Sequence, residues 1–269
     1  MISRITYVII IVASLVGCSK NPVTGRSQLR LVPEAELQAM ANQQYRQFLN
    51  TNRVVSPSAD RDAEMVRRVG QRLANAVTQY YRSQRLGNVL QGYNWEFNLV
   101  NDKAANAWVM PGGKVVVYTG LLPITRNEAA LANVLGHEIS HAIFQHGNER
   151  MSQGLAAQGL GTGLSLALAN RPAQTQNLFM QAFGAGATVG VLLPFSRKHE
   201  LEADRFGMRW AAMAGYNPRE AIALWERMNA ASNGQRPPEF LSTHPGEERR
   251  IEQLRRYLPE ALKYYKPRS

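Results

Sequence analysis

The sequence has few of the side chains that cross-link a fold or bind metals. Its 269 residues include one cysteine, Cys18, which excludes an intramolecular disulfide and any site built from several thiolates. Histidine is also scarce, so a metal site in this chain has to combine a few imidazoles with carboxylates. The five histidines are His137, His141, His146, His199 and His244.

Apolar runs of membrane-spanning length are missing too, since none reaches the roughly 20 residues that a transmembrane helix needs. The run over residues 5–16 follows Arg4 and instead predicts a signal segment over residues 1–17. Its end, Leu15-Val16-Gly17-Cys18, resembles a bacterial lipobox. The resemblance implies cleavage before Cys18 and lipidation of that residue.

The residues after the cysteine extend this interpretation. Ser19 follows Cys18 where lipoproteins retained in the inner membrane carry Asp, so we predict an outer-membrane lipoprotein facing the periplasm of a Gram-negative bacterium. Residues 18–35 are polar with turn signals and are interpreted as a lipidated tether. The folded domain is then expected over residues 36–269, with the membrane contacted through the lipid anchor at Cys18.

Acidic side chains are fewer than basic ones, 20 against 31, which gives a formal net charge of +11. Such an excess attracts anionic partners. No nucleic-acid-binding module accompanies it, and the basic residues are interleaved with glutamates and apolar residues. We therefore expect solvated helix faces near anionic lipid headgroups and no nucleic-acid partner.

Periodic apolar residues predict a helix, then a small sheet, then more helices. Helical spacing predicts an amphipathic helix over Asp60 to Arg85, and alternation predicts a strand over Tyr93 to Val100. Pro111-Gly112-Gly113 lies between two apolar runs and predicts a hairpin turn. Because the chain is mostly helical from Thr125 onward, the fold class is α+β.

Some helix boundaries can be predicted as well. Thr125-Arg126-Asn127-Glu128 has the spacing of a capping box, with Glu128 placed to reach back to the cap amide. Later helices are expected from near Lys198, over Pro218–Asn229 and over Gly246–Tyr265. The Gly- and Ala-rich residues 154–195 predict closely packed helices or a mobile lid, and we favour packing.

His137-Glu138-Ile139-Ser140-His141 is the segment with the clearest chemical meaning. Histidines four residues apart share one helix face, so both imidazoles can bind a single Zn²⁺. Glu138 then lies beside the metal and can act as general base toward water. The alternative is a pair of unrelated histidines on a helix surface.

The third ligand has to come from elsewhere in the chain. A third histidine of the extended zinc motif is excluded, because Phe144 replaces the required glycine and His146 comes one position early. The segment Glu200-Leu201-Glu202-Ala203-Asp204 offers carboxylates instead. Glu200 and Asp204 are four residues apart, so one can bind metal while the other supports an imidazole.

Together these motifs resemble the membrane-associated gluzincin endopeptidases, the family of HtpX, BepA, LoiP and the CAAX prenyl endopeptidases. The LoiP-like and BepA-like lipoprotein proteases resemble the chain most, and the matches are collinear over nearly the whole mature chain. Besides the histidine motif, they are Asn21-Pro22-Val23-Thr24-Gly25, Asn106-Ala107-Trp108 with Pro111-Gly112-Gly113, Ser196-Arg197 before Glu200-x-x-Ala203-Asp204, and Thr243-His244-Pro245 followed by Arg250.

The resemblance implies a mostly helical gluzincin domain whose small antiparallel sheet binds substrate along its edge strand. One Zn²⁺ per chain is implied, and Glu200 rather than Glu202 is its ligand because the family's glutamate lies four residues before the Asp. The implied residues are the ligands His137, His141 and Glu200, the general base Glu138, the supporting carboxylate Asp204 and the strand Asn106, Ala107 and Trp108. For the Trp108 side chain, a packed core aromatic is an equal alternative.

His244 is expected near the metal, because the family places the histidine of this His-Pro motif there. It is either a catalytic donor to the developing oxyanion or a fourth ligand that keeps the enzyme latent. His146 points about 140° away from His141 on a continued helix, and His199 about 100° away from Glu200, so structural roles are expected for both. Arg197 and Arg250 are expected to be ion-pair partners.

These inferences predict a zinc-dependent endopeptidase that hydrolyses misfolded or misassembled cell-envelope proteins. The outer-membrane assembly machinery is a further expected partner. The alternative is a non-catalytic or latent chaperone, an assembly lipoprotein that retains the peptidase fold.

Overall fold

The structure is a computed structural model that describes residues 18–157, 172–183, 195–232, 238–244 and 249–267. The signal segment predicted over residues 1–17 lies outside these ranges, and so does much of the region for which a lid was considered. Among the described residues, no helix is long and apolar enough to cross a membrane.

The strands form a small hairpin and a four-stranded sheet. The strands are β1 (Cys18–Lys20), β2 (Ser27–Leu29), β3 (Val54–Val55), β4 (Glu96–Val100), β5 (Ala107–Met110) and β6 (Lys114–Tyr118). Strands β1 and β2 pair antiparallel with each other. The larger sheet has the order β3-β4-β6-β5, so β5 is an edge strand.

The predicted hairpin turn joins β5 to β6, with Met110 opposite Lys114. Gly112 and Gly113 take φ values of 77° and 84°, a left-handed conformation that favours glycine over other residues. Because β5 lies outside β6, the chain returns in β6 parallel to β4, whereas the other pairings are antiparallel. The predicted α+β class with a small sheet is confirmed, with this one parallel pairing inside it.

Helices make up most of the remaining described chain. They are α1 (Glu34–Thr51), α2 (Arg61–Ser83), α3 (Leu122–Thr125), α4 (Glu128–Ile143), α5 (His146–Ala157), α6 (Pro172–Phe183), α7 (Arg197–Met213), α8 (Glu220–Ser232), α9 (Phe240–Thr243) and α10 (Arg250–Leu262). Short 3₁₀ turns cover Gly87–Leu90 and Thr119–Leu121.

The sheet is buried on both faces, which explains the unbroken apolar run of β6. Val115 and Val117 face a core formed with α2, α4 and α7, whereas Val116 faces a second core formed with α1, α5 and α6. The alternation predicted for β4 places Phe97 and Leu99 in the first core. Helix α4, which carries the histidine motif, therefore packs directly on the sheet next to its edge strand.

Side-chain caps begin α2, α4 and α7, and the cap of α4 differs from the prediction. Asp60 caps α2, accepting hydrogen bonds from the amides of Asp62 and Ala63. The capping box predicted at Thr125 is wrong, because Asn127 is the N-cap of α4 and accepts from the Ala130 amide at 2.8 Å. Arg126 has φ of 64° and ends α3 in between, so no box can close across it.

A glycine pair lets α4 and α7 cross at very short range. A Cβ atom on Gly136 would lie 2.6 Å from the carbonyl oxygen of Gly207, and one on Gly207 would lie 2.7 Å from the amide of His137. Real Cβ atoms do not come this close to backbone atoms, so both positions need glycine. The crossing brings the histidine motif of α4 against the carboxylates of α7.

Candidate metal centre

Four buried side chains converge between α4, α7 and the end of α9. His137 and His141 lie one turn apart on α4, Glu200 lies in the first turn of α7, and His244 directly follows α9. Each offers one ligand atom, and the four atoms lie within 4.8 Å of one another. All four residues are at most 4% exposed. The group contains the three residues predicted as ligands.

Hydrogen bonds to the outer ring nitrogens fix the tautomers of both helix histidines. Nδ1 of His137 lies 2.9 Å from Oδ1 of Asp204, a carboxylate that only accepts, so this Nδ1 carries the proton. Nδ1 of His141 lies 2.8 Å from Nδ1 of His146, whose Nε2 donates to Glu202 at 2.8 Å. His146 therefore accepts through Nδ1, and Nδ1 of His141 is protonated as well.

The inner ring nitrogens are consequently two lone pairs that face each other. Nε2 of His137 and Nε2 of His141 are 2.9 Å apart. Carboxylate oxygens of Glu200 lie 3.5 Å from the first and 3.3 Å from the second. Such a convergence of electron donors is stabilised by a cation between them. Two imidazoles and one carboxylate are a donor set that suits Zn²⁺, so the residues fit a metal ion.

Arg250 neutralises the carboxylates around this group. Its guanidinium lies 2.9 Å from Glu200 and 2.7 Å from Asp204, and it also lies 3.5 Å from the centre of the Trp225 ring. A buried pair of carboxylates beside an arginine holds its negative charge at a much lower cost than without one. The ion-pair role predicted for Arg250 is confirmed.

Glu138 lies next to the group with an oxygen available for chemistry. It is 1% exposed, its Oε1 accepts no hydrogen bond from the described residues, and this atom lies 3.5 Å from Nε2 of His244. Burial raises the pKa of Glu138 well above its usual value, and the charge of Glu200 adds to the effect, while Arg250 opposes it. A carboxylate with a raised pKa is a stronger base than an exposed one.

His244 lies inside the cluster rather than beside it. Its Nδ1 is 3.0 Å from Oε1 of Glu200 and 3.2 Å from Nε2 of His137. Burial lowers the pKa of His244 to about 4, so the ring is neutral at pH 7. The Phe195 ring stacks on His141 and on His244, with centroids 3.9 and 5.1 Å away, and covers the group.

The His146 side chain points in a different direction from the one predicted, whereas His199 has the structural contacts that were expected. Helix α4 ends at Ile143, and Gln145 takes φ of 54°, so the chain turns and brings His146 back against His141. His199 stacks on His146 at 4.5 Å and lies 3.0 Å from Glu149. The angular prediction for His146 is wrong because it continued a helix that stops. No local sequence signal marks this left-handed turn at a glutamine.

The predicted substrate strand is β5 with the residue before it. Asn106 is buried, accepts a hydrogen bond from the Ala107 amide and donates to Glu239 at 3.1 Å. The Trp108 side chain is packed in the core, where the centroids of the Phe48 and Trp108 rings are 4.9 Å apart. Only the backbone of Trp108 is part of the edge strand. The core alternative for Trp108 is therefore correct.

The amino-terminal part of the domain is more ordered than a tether. Residues 18–29 form the β1–β2 hairpin, and Gln28 in this hairpin donates to the carbonyl of Phe144 at 2.6 Å. Asn21 and Gln28 are both buried although they are polar, which composition alone did not reveal. Residues 1–17 and the Cys18 side chain lie outside the described part of the chain, so lipidation of Cys18 stays a prediction.

Comparison with known proteins assigns this chain to a family. The profile of peptidase family M48 matches residues 60–258. The mitochondrial metalloendopeptidase OMA1 of Saccharomyces cerevisiae is 31% identical over 93% of this chain and 74% of its own length. OMA1 of Schizosaccharomyces pombe is 38% identical over 62% of this chain, and the beta-barrel assembly-enhancing protease of Escherichia coli is 32% identical over 66%. The chain spans 48% and 38% of the lengths of these last two relatives.

These relatives correct the predicted localisation. Relatives that match nine-tenths or more of the chain, from yeast, cattle and human, are named as mitochondrial metalloendopeptidases. The prediction of a Gram-negative outer-membrane lipoprotein is therefore wrong. It depended on a short apolar segment that ends in one cysteine, and basic and apolar amino-terminal segments occur in more than one class of targeting signal.

Proposed function

This chain belongs to peptidase family M48, a family of metalloendopeptidases, and from that premise we propose that it is a zinc-dependent endopeptidase acting on unfolded or misfolded proteins. The single observation that carries the proposal is the pair of facing Nε2 lone pairs on His137 and His141 with Glu200 beside them. The predicted restriction to cell-envelope substrates depended on the corrected localisation and is dropped.

His137, His141 and Glu200 would hold the zinc ion. Bound zinc supplies a Lewis acid that polarises the substrate carbonyl and lowers the pKa of water to about 7. Asp204 orients His137 by accepting from its Nδ1. Arg250 forms ion pairs with both Glu200 and Asp204 and offsets their negative charge. It also helps to lower the pKa of Glu200, so this ligand is ready to bind a cation.

Glu138 would move the proton during hydrolysis. Its Oε1, which accepts no hydrogen bond from the described residues, can take a proton from the attacking water. The same carboxyl group can then donate that proton to the leaving amide nitrogen. The raised pKa of Glu138 favours the first step, because a carboxylate with a raised pKa is a stronger base.

Strand β5 would bind the substrate as an added antiparallel strand. The Tyr118 amide of β6 donates to the carbonyl of Asn106. Because residues of β5 alternate between those that hydrogen-bond to β6 and those that do not, the backbone groups of Ala107 and Val109 point toward the free edge. An extended peptide can pair with these groups. A small pocket lies between this edge and the metal group; its lining includes Leu37, Val109, Pro111, His141, Phe183 and Phe195.

Recognition through backbone hydrogen bonds suits unfolded chains as substrates. A folded protein has few unpaired extended segments, whereas an unfolded one presents many. Misfolded or misassembled proteins are therefore the substrate class that we propose.

The test is cleavage of casein by the purified chain, with and without a chelator, alongside Glu138→Gln. This substitution keeps the size of the side chain and removes the base, so we expect activity to fall by about 10²- to 10⁴-fold while zinc still binds. Cleavage by Glu138→Gln at the wild-type rate would contradict the assigned base. A zinc-loaded wild type that binds casein without cleaving it, even after His244→Ala, would favour the chaperone alternative.

A further inference from the structure

Five side chains lie behind His141 and take no part in the proposed proton transfer. They come from three separate parts of the chain, namely the β1–β2 hairpin, α5 and α7. We name them the support network: Arg26, His146, Glu149, His199 and Glu202.

Arg26 joins the two carboxylates of the support network. Its Nε donates to Glu202 at 2.9 Å, and its Nη1 donates to Glu149 at 2.7 Å. Each carboxylate also accepts from a histidine, Glu202 from His146 at 2.8 Å and Glu149 from His199 at 3.0 Å. Removal of Arg26 would therefore take away the cation that both carboxylates share.

The support network reaches the metal ligands through one hydrogen bond. Glu202 only accepts, so it keeps the proton of His146 on Nε2 and leaves Nδ1 of that ring as an acceptor. Nδ1 of His141 donates to this atom at 2.8 Å, which holds Nε2 of His141 toward the metal position. Metal-binding histidines are commonly oriented by a carboxylate or a carbonyl, and here a second histidine does so.

The amino-terminal hairpin sets the position of Arg26. The Asn21 side chain accepts from the amides of Val23 at 2.9 Å and Thr24 at 3.1 Å, and Gly25 completes the turn with φ of 72°. This segment is the Asn-Pro-Val-Thr-Gly motif, which the proposed catalytic chemistry does not use.

We propose that His146 is a positioning residue for the metal centre and that Arg26, acting through Glu202, holds His146 in place. The amino-terminal hairpin then helps to set the affinity of the chain for zinc. The proposal rests on the proposed function, since it requires zinc to bind at His137, His141 and Glu200.

Two substitutions at His146 separate its two hydrogen bonds. Asparagine places its carbonyl oxygen near the position of Nδ1 and can still accept from His141. Glutamine reaches the position of Nε2 and can donate only to Glu202. Zinc affinity of the purified full chain, measured by competition with a chromophoric chelator, should fall about 100-fold in His146→Gln, which cannot accept from His141. In His146→Asn, which keeps the acceptor and loses only the contact with Glu202, it should fall no more than about tenfold.

A second pair of variants tests the hairpin. Arg26→Gln should weaken zinc binding by about tenfold, the lower end of the effect expected for groups that orient a ligand. Arg30→Gln is the matched control, because Arg30 lies just past β2 and donates to Ser19 of β1. The Arg26 side chain is 21% exposed, so its variant carries the test if the His146 variants do not fold.

Thermal unfolding separates positioning from plain structural support. In a positioning role, the rise in Tm on adding zinc is smaller in Arg26→Gln and His146→Gln than in wild type. An equal loss of Tm with and without zinc, together with unchanged zinc affinity, would overturn the proposal. A wild-type chain that binds no zinc would overturn the proposed function and this proposal together, whereas unchanged affinity in the variants would overturn this proposal alone.

Discussion

Nδ1 of His244 lies 3.0 Å from Oε1 of Glu200, inside the group of atoms that would bind the metal. A histidine in this place competes with water and substrate for the open position that a catalytic zinc site needs. Its neutral ring is also a competent ligand, because burial holds the pKa of His244 at about 4. The geometry therefore favours the latent form over the donor role, two alternatives that the sequence left open.

Replacing His244 with alanine should raise the rate of casein cleavage several-fold, because it frees the fourth position. The measurement is the initial rate of the zinc-loaded chain, with the double variant Glu138→Gln/His244→Ala as control. The gain has to disappear in the double variant if it reflects the same active site. A loss of about 10²- to 10³-fold in the single variant would instead identify His244 as an oxyanion donor.

The sequence predicts the parts of the site that depend on regular spacing. His137 and His141 share a helix face because α4 is a regular helix, and Glu200 and Asp204 are one turn apart on α7 for the same reason. The hairpin turn at Gly112 was likewise predictable from its residue types.

The support network was not predictable, because it depends on where regular spacing ends. Gln145 takes a left-handed conformation that glycine or asparagine would have signalled, and so His146 was placed on the wrong side. Arg26 forms ion pairs with Glu149 and Glu202, each more than one hundred residues away in the sequence. Long-range pairs of this kind arise from packing and leave no local pattern.

Because α4 and α7 cross at short range, a single added methyl group at the crossing should destabilise the protein. Gly207→Ala places a Cβ 2.7 Å from the His137 amide, so the helices have to separate. We expect a loss of about 1–3 kcal/mol in the free energy of unfolding, measured with urea, together with weaker zinc binding. Gly87→Ala is the control, since its added Cβ would contact nothing within 4 Å. Equal stability of the two variants would contradict the close crossing.

The depressed pKa of Glu149 predicts how the stability of the protein depends on pH. Burial alone would raise its pKa, but hydrogen bonds from His199 and Arg26 outweigh it and lower the pKa from 4.5 to about 2. A carboxyl group whose folded pKa is depressed stabilises the fold above its unfolded pKa, and this contribution is lost as the pH falls from about 4.5 to 2.

Glu149→Gln should therefore be less stable than wild type at pH 7, by on the order of 2 kcal/mol. The difference should shrink as the pH falls below 4.5, because Glu149 of the unfolded wild-type chain then binds a proton while the folded carboxylate stays ionised down to about pH 2. Urea unfolding of both proteins at pH 7 and at pH 3.5 measures it. Glu226→Gln removes an exposed carboxylate and serves as control, since exposed ion pairs contribute little. A constant difference across this range would refute the assigned role of Glu149.

The free edge of β5 gives a prediction about substrate binding that does not involve the metal ligands. The amide of Val109 points away from β6, so Val109→Pro removes a hydrogen bond to the substrate while the sheet itself loses none. We expect kcat/KM for an extended peptide to fall about tenfold, the effect of one lost hydrogen bond. Val109→Ala is the matched control, because it shortens the same buried side chain and keeps the amide. Zinc affinity should be equal in both variants, since the Val109 amide faces the substrate edge. If Val109→Pro and Val109→Ala cleave the peptide equally well, the substrate does not pair with β5, and the edge strand has no part in recognition.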